Sequence, residues 1–148
     1  MLKRLLTGAM IFTLWSGYLQ AQEVPSQKKT LADGCTYEGQ FKGDVPGGQG
    51  AVTCPNGVQY TGAFKDGLYD GPGTLVYADS SKYEGHFKEG LLDGHGDLTW
   101  ADGGSYKGNF SAGQINGEGV LTGADGSRHE GYFKNGDFVG TEEPAQDN

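Results

Sequence analysis

The sequence predicts an all-β fold, a single-domain solenoid of stacked antiparallel β-hairpins with a 23-residue repeat. Three observations predict it. A ring-bearing residue recurs every 23 positions, at Tyr37, Tyr60, Tyr83, Tyr106 and His129, with no insertion or deletion between copies. Of the 28 glycines, 25 fall between Gly39 and Gly140, most of them at fixed places in the period. Short segments such as "KYEGHF" and "GHGDLTW" alternate in character, and past the first residues no segment has helical periodicity.

In chain order, the first segment is "MLKRLLTGAMIFTLWSGYLQA". Lys3 and Arg4 precede an apolar run that ends near Leu19, and Ala21 is a small residue suited to cleavage. This is the layout of a secretory signal peptide over residues 1–21. The run is shorter than the roughly 20 residues that span a bilayer comfortably. The expectation is export, to a periplasm or to the outside, with an uncleaved N-terminal anchor as the alternative. Residues 22–33 read as a polar linker. The repeat domain follows over residues 34–140, as four full repeats from Tyr37, Tyr60, Tyr83 and Tyr106 and a partial one from His129. The tail 141–148, "TEEPAQDN", reads as acidic and disordered.

The repeat can be indexed from its tyrosine, taken as position 0. Glycine stands at position 2, phenylalanine at position 4 (Phe41, Phe64, Phe87, Phe110, Phe133) and glycine at positions 11 and 13. An aliphatic residue stands at position 15, at Val52, Leu75, Leu98 and Leu121. The first alternating stretch predicts one strand and the second predicts its hairpin partner. Between them, stretches such as "KEGLLDG" supply a hairpin loop with Asp93-Gly94 as its turn signal. Asn56-Gly57, Asp102-Gly103 and Asp125-Gly126 mark the turn into the next hairpin. Folding the hairpin about that loop sets position 0 opposite 15, 2 opposite 13 and −2 opposite 17. Two facing glycines then leave a notch, which an aromatic ring of a neighbouring hairpin can fill. The tyrosines at position 0 and the phenylalanines at position 4 are the predicted core. The same register pairs Cys35 with Cys54, the only cysteines, as a cross-strand disulfide in an oxidising compartment.

Composition excludes several functions. Net charge is −8, and removing Lys3 and Arg4 with the signal segment leaves 9 basic against 19 acidic residues, or −10. Such a surface repels nucleic-acid phosphates and anionic lipid head groups. No catalytic or metal-binding constellation is legible. Asp70 and Asp93 recur as turn residues, with Asn116 in their place in the fourth copy. Asp79, Asp102 and Asp125 recur without the nine-residue period of calcium-binding glycine-rich repeats. His86, His95 and His129 occupy three different repeat positions. The G-x-G triplets precede strands, whereas a dinucleotide site needs a helix there. Asn109-Phe110-Ser111 is a sequon placed inside a strand. An apolar ladder at position 9, Tyr69, Leu92, Ile115 and Phe138, is expected in the hairpin loop and is the candidate interaction surface.

The pattern "YEGHFKEGLLDGHGDLTWADG" resembles the MORN repeat (membrane occupation and recognition nexus), a 23-residue unit that begins Tyr-Glu-Gly. Departures are Gly43-Asp44 in the first loop, Thr61 in place of Glu, Ser80 in place of glycine, and His129 in place of tyrosine. The resemblance implies a β-hairpin solenoid that binds or scaffolds. It implies protein assembly, self-association or membrane contact, with no catalysis in the repeats. The expectation is therefore a non-enzymatic, exported scaffold for unidentified protein partners, with no cofactor and no nucleic acid. A peripheral lipid-binding module, which the acidic charge disfavours, is the alternative.

Overall fold

The computed structural model describes residues 26–143. The segment expected to be a signal peptide, residues 1–21, lies outside them, as do the first residues of the expected linker and the last of the tail. Among the described residues eleven antiparallel strands form one open sheet in sequence order. They are β1 (Gln27–Thr30), β2 (Thr36–Lys42), β3 (Val45–Thr53), β4 (Gln59–Lys65), β5 (Leu68–Val76), β6 (Lys82–Lys88), β7 (Leu91–Thr99), β8 (Ser105–Ser111), β9 (Gln114–Thr122), β10 (Arg128–Lys134) and β11 (Asp137–Gly140). The sheet begins earlier than the sequence suggests. Residues 27–30, expected in the linker, form β1 and pair with Thr36–Gly39.

The expected register is the observed one. Tyr83 faces Leu98, Gly85 faces Gly96, and the pattern recurs in each hairpin. The hairpin loop differs. It is the two-residue turn Asp66-Gly67, Glu89-Gly90, Ala112-Gly113 or Asn135-Gly136, and both residues of each have positive φ. That is the type I′ conformation, whose twist matches the flanking strands. In the first copy the loop is Gly43-Asp44 with only Gly43 at positive φ. The change fits a II′ turn, which needs glycine first. Asp93-Gly94 therefore lies within β7, where Gly94 has φ of 80°. The second turn is as expected. Asp33, Asn56, Asp79, Asp102 and Asp125 each accept a backbone N–H two residues on. Those Asx turns fix each crossing into the next hairpin.

The core is a single aromatic layer on one face. Tyr37, Tyr60, Tyr83 and Tyr106 are fully buried. Each lies over the facing glycines of its own hairpin. A Cβ at Gly39 would come within 2.6 Å of the Tyr37 hydroxyl, and one at Gly62 within 2.7 Å of that of Tyr60. The notch is thus filled from within its own hairpin, not by a neighbour's ring. Glycines 39, 50, 62, 73, 85, 96, 108, 119 and 131 pair in turn across the sheet and form one bare track. A strand bulge between positions 2 and 4 leaves the position-3 residue unpaired within its own hairpin. The tyrosine hydroxyl reaches across the track and donates to that residue's carbonyl. The partners are Gln40, Ala63, His86 and Asn109, at 2.6 to 3.2 Å.

Coupling between repeats falls to phenylalanine. Tyr37–Phe64, Tyr60–Phe87, Tyr83–Phe110 and Tyr106–Phe133 meet edge to face, with centroids 4.9 to 5.2 Å apart. Such pairs stabilise by about 0.5–1.5 kcal/mol beyond burial. Phe64, Phe87, Phe110 and Phe133 are buried, whereas Phe41 is only half-buried, because no repeat precedes it. There the Lys29 ammonium lies 5.9 Å from the centre of the Phe41 ring.

Candidate functional site

Hairpin geometry sets a backbone device at the turn edge. Next to the bulge at positions 10 to 12, the position-9 carbonyl of each repeat lies beside the next repeat's turn. Gly67 N–H donates to Pro46 O, Gly90 N–H to Tyr69 O, Gly113 N–H to Leu92 O and Gly136 N–H to Ile115 O, at 2.8 to 2.9 Å. Side chains add to it. Asp70 accepts from Glu89 N–H at 3.2 Å, and Asp93 from Ala112 N–H at 3.5 Å. These aspartates fasten the following hairpin rather than turn their own.

The position-9 residues consequently lie in strands β5, β7, β9 and β11, not in a loop, and they face the aromatic layer. Tyr69 stacks on Tyr60 at 3.7 Å with the planes 10° apart. Leu92 is buried opposite Phe87, and Ile115 is partly buried opposite Phe110. Phe138 remains 41% exposed beside Phe133. Sequence alternation did not register the neighbouring position 8. Val45, Leu68 and Leu91 stand exposed there along the turn edge. Only their adjacency to the turn glycines could have marked them.

Two cavities open on the aromatic face, and they are the same place two repeats apart. The first, of about 200 Å³, is lined by Leu31, Cys35, Cys54, Phe64 and Tyr69. The second, of about 420 Å³, has Tyr77, Ser81, Trp100, Phe110 and Ile115 at the corresponding positions. The Cys35–Cys54 disulfide, with Cα atoms 4.1 Å apart, closes one wall of the first. In the second the same wall is Ser81 and Trp100. The buried Ser81 hydroxyl accepts the Ala101 N–H at 3.2 Å. Burial raises the pKa of the Tyr77 phenol, with Asp79 adding to the rise. Hydrogen bonds from the Ser81 backbone and hydroxyl hold the Asp79 carboxyl below the usual range. The groove is therefore an aromatic and aliphatic floor with an ionised carboxylate at its rim.

The opposite face is polar and carries the ion pairs. Lys82–Glu84 and Lys107–Asp97 meet at 2.9 and 2.8 Å, both exposed. His86 and His95 lie on the adjacent strands β6 and β7, each next to one of the facing glycines Gly85 and Gly96, while His129 lies at the far end, 5.4 Å from Phe138. Among the described residues no three His, Cys, Asp or Glu side chains converge as metal ligands. The described residues contain no helix long and apolar enough to cross a membrane.

The model of the family described as MORN repeat matches residues 37–59, 60–82, 83–105 and 106–128, four consecutive units that begin on the four buried tyrosines. No curated protein matches the chain.

Proposed function

The chain belongs to the MORN repeat family, and from that premise we propose that it is an exported, non-catalytic module that binds a protein partner and organises its assembly. MORN repeats generally bind proteins or membranes, and the choice between the two rests on this chain's own surface. The observation that carries the reading is the 420 Å³ groove over Phe110 and Ile115, with Tyr77 and Trp100 on its flank. Aromatic anchors beside a partly apolar concavity are the usual core of a protein interface. The exposed ridge of Val45, Leu68 and Leu91 extends that apolar surface along the same sheet edge. The acidic balance of −8 argues against an anionic bilayer as the partner. The Cys35–Cys54 disulfide supports export, since such bonds persist in oxidising compartments.

A photo-crosslinking side chain placed at Gln114, on the groove rim, tests the reading in the native compartment against one at Glu118 on the polar face. A product specific to the groove position is expected. Equal labelling from both faces would remove the reading. Flotation with anionic vesicles at low salt addresses the membrane alternative, and co-flotation would favour it.

A further inference from the structure

The two ends of the sheet are halves of one strand. The full second strands, Leu68–Val76, Leu91–Thr99 and Gln114–Thr122, each cover nine residues, positions 8 to 16. In the same count β11 (Asp137–Gly140) supplies positions 8 to 11. Shifted back by one repeat from the first tyrosine, β1 (Gln27–Thr30) supplies positions 13 to 16. One position separates them. β11 pairs only with Tyr132–Lys134, and Gly140 and Thr141 lie against Gly131, so among the described residues the outer edge of Arg128–Glu130 carries no strand. β1 pairs only with Thr36–Gly39, so among the described residues no strand lies along the same edge of Phe41 and Lys42.

We propose that these ends are the two sides of a head-to-tail joint between copies of this chain. β1 of one copy continues β11 of the next in line, and together they fill eight of the nine positions of a full second strand. The internal register dictates the pairing. Lys107 faces Val120 inside a repeat, which sets Glu130 opposite Lys28 across the joint. Gly48 faces Phe64 between repeats, which sets Gly140 opposite Phe41.

The side chains at the ends suit that joint. Lys28 already meets Glu38 at 3.5 Å within its own copy, and the joint places it between Glu38 and Glu130. Asp97 sits in the equivalent row, flanked by Glu84 and Lys107. Cross-strand pairs of opposite charge stabilise and like charges destabilise. Phe41, the least covered of the repeat phenylalanines, gains the place against Phe138 that Phe87 has against Tyr69, at 5.8 Å. Phe138 and Val139, both exposed at present, become covered. The residue substitutions agree too. Position 13 needs glycine where a tyrosine ring lies over it, and in the last repeat position 0 is His129, so Gln27 is admissible there. A joint between two different surfaces leaves both outer ends free and so propagates beyond a dimer.

The joint deepens the assembly part of the function proposed above and is tested separately from the groove. Sedimentation velocity on the purified protein across a concentration series should show species that grow past the dimer. Lys28→Glu and Glu130→Lys should each weaken association roughly tenfold, because each sets like charges face to face. An equimolar mixture of the two variants should associate again, since every mixed joint pairs opposite charges. Trp100 fluorescence verifies that both variants are folded. A monomer at every concentration, a species that stops at the dimer, or a Lys28→Glu variant that associates like the parent would each overturn the joint. Crosslinking from Gln114 in the native compartment, with the same variants, reports the groove, so loss of the joint alone leaves the partner-binding reading standing.

Discussion

The hydroxyl of Tyr83 donates to the backbone carbonyl of His86 at 3.0 Å, three residues along the same strand. The strand bulge leaves His86 unpaired within its own hairpin, and the tyrosine supplies that carbonyl's hydrogen bond. Glycine at 85 and 96 gives the ring its path, and both conditions recur in all four full repeats.

Replacing Tyr83 with phenylalanine keeps the ring and removes the donor. The His86 carbonyl is then left without this partner, at a cost of about 1–2 kcal/mol. Urea unfolding of the variant should show that loss as a lower midpoint with an unchanged slope. An unchanged midpoint would mean that water satisfies the carbonyl equally well.

The glycine track makes a contrast between two alanine substitutions. At Gly96 a Cβ would lie 2.5 Å from Tyr83 Cζ, deep in the packed layer. Overpacking of that kind costs about 1–3 kcal/mol or more. At Gly103 nothing lies within 4 Å, and the only obstacle is a φ of 91°. The left-handed backbone costs an alanine about 1–2 kcal/mol. Thermal unfolding should therefore rank Gly96→Ala as the more damaging, and it should also disturb the near-ultraviolet signal of the tyrosines, which Gly103→Ala leaves intact.

Alkali should unfold the protein through its core. Burial pushes the phenols of Tyr60 and Tyr83 up to about 12, from an ordinary value near 10. The unfolded chain therefore releases these protons first. The stability held by the neutral phenols is complete below pH 10 and declines as pH rises from 10 to 12. Circular dichroism through that range should show unfolding coincide with tyrosinate absorbance. Absorbance that rises with the fold intact would contradict the burial.

Reduction isolates the terminal staple. Cys35 and Cys54 are 19 residues apart, and closing a loop of that size is worth about 3 kcal/mol in the chain-entropy model. Thermal melts with and without reductant should differ by that order. The Cys35→Ser and Cys54→Ser double variant should match the reduced protein and be insensitive to reductant.

Much of this architecture was legible because the repeat forces it. The spacing of Tyr83, Gly85, Phe87, Gly96 and Leu98 set strand, face and register, and it paired Cys35 with Cys54. Elements set by backbone hydrogen bonding were harder to read. Asp93-Gly94 carries the composition of a turn, yet Glu89-Gly90 makes the turn and Gly94 a strand bulge. That one displacement moved Leu92 and Ile115 from an expected loop into strands against the aromatic layer. β1 was hidden because Gln27 and Lys29 stand where other copies have glycine and an aliphatic residue. The groove was illegible for another reason. Tyr77, Trp100 and Ile115 belong to three different repeats, and only the folded sheet brings them to one cavity.

The pairing of each phenylalanine with the tyrosine of the repeat before it bears on how such a chain can change length. Every junction shares the tyrosine–phenylalanine contact and the turn hook, two add an aspartate strap, and each of these contacts reaches no further than the adjoining unit. Excision of residues 83–105 would bring Phe110 against Tyr60, the same bond that Phe87 makes now. Duplication of that segment would repeat a junction already present. The molecule is a ruler graduated in pairs of strands, and recombination within its gene could lengthen or shorten it by whole graduations.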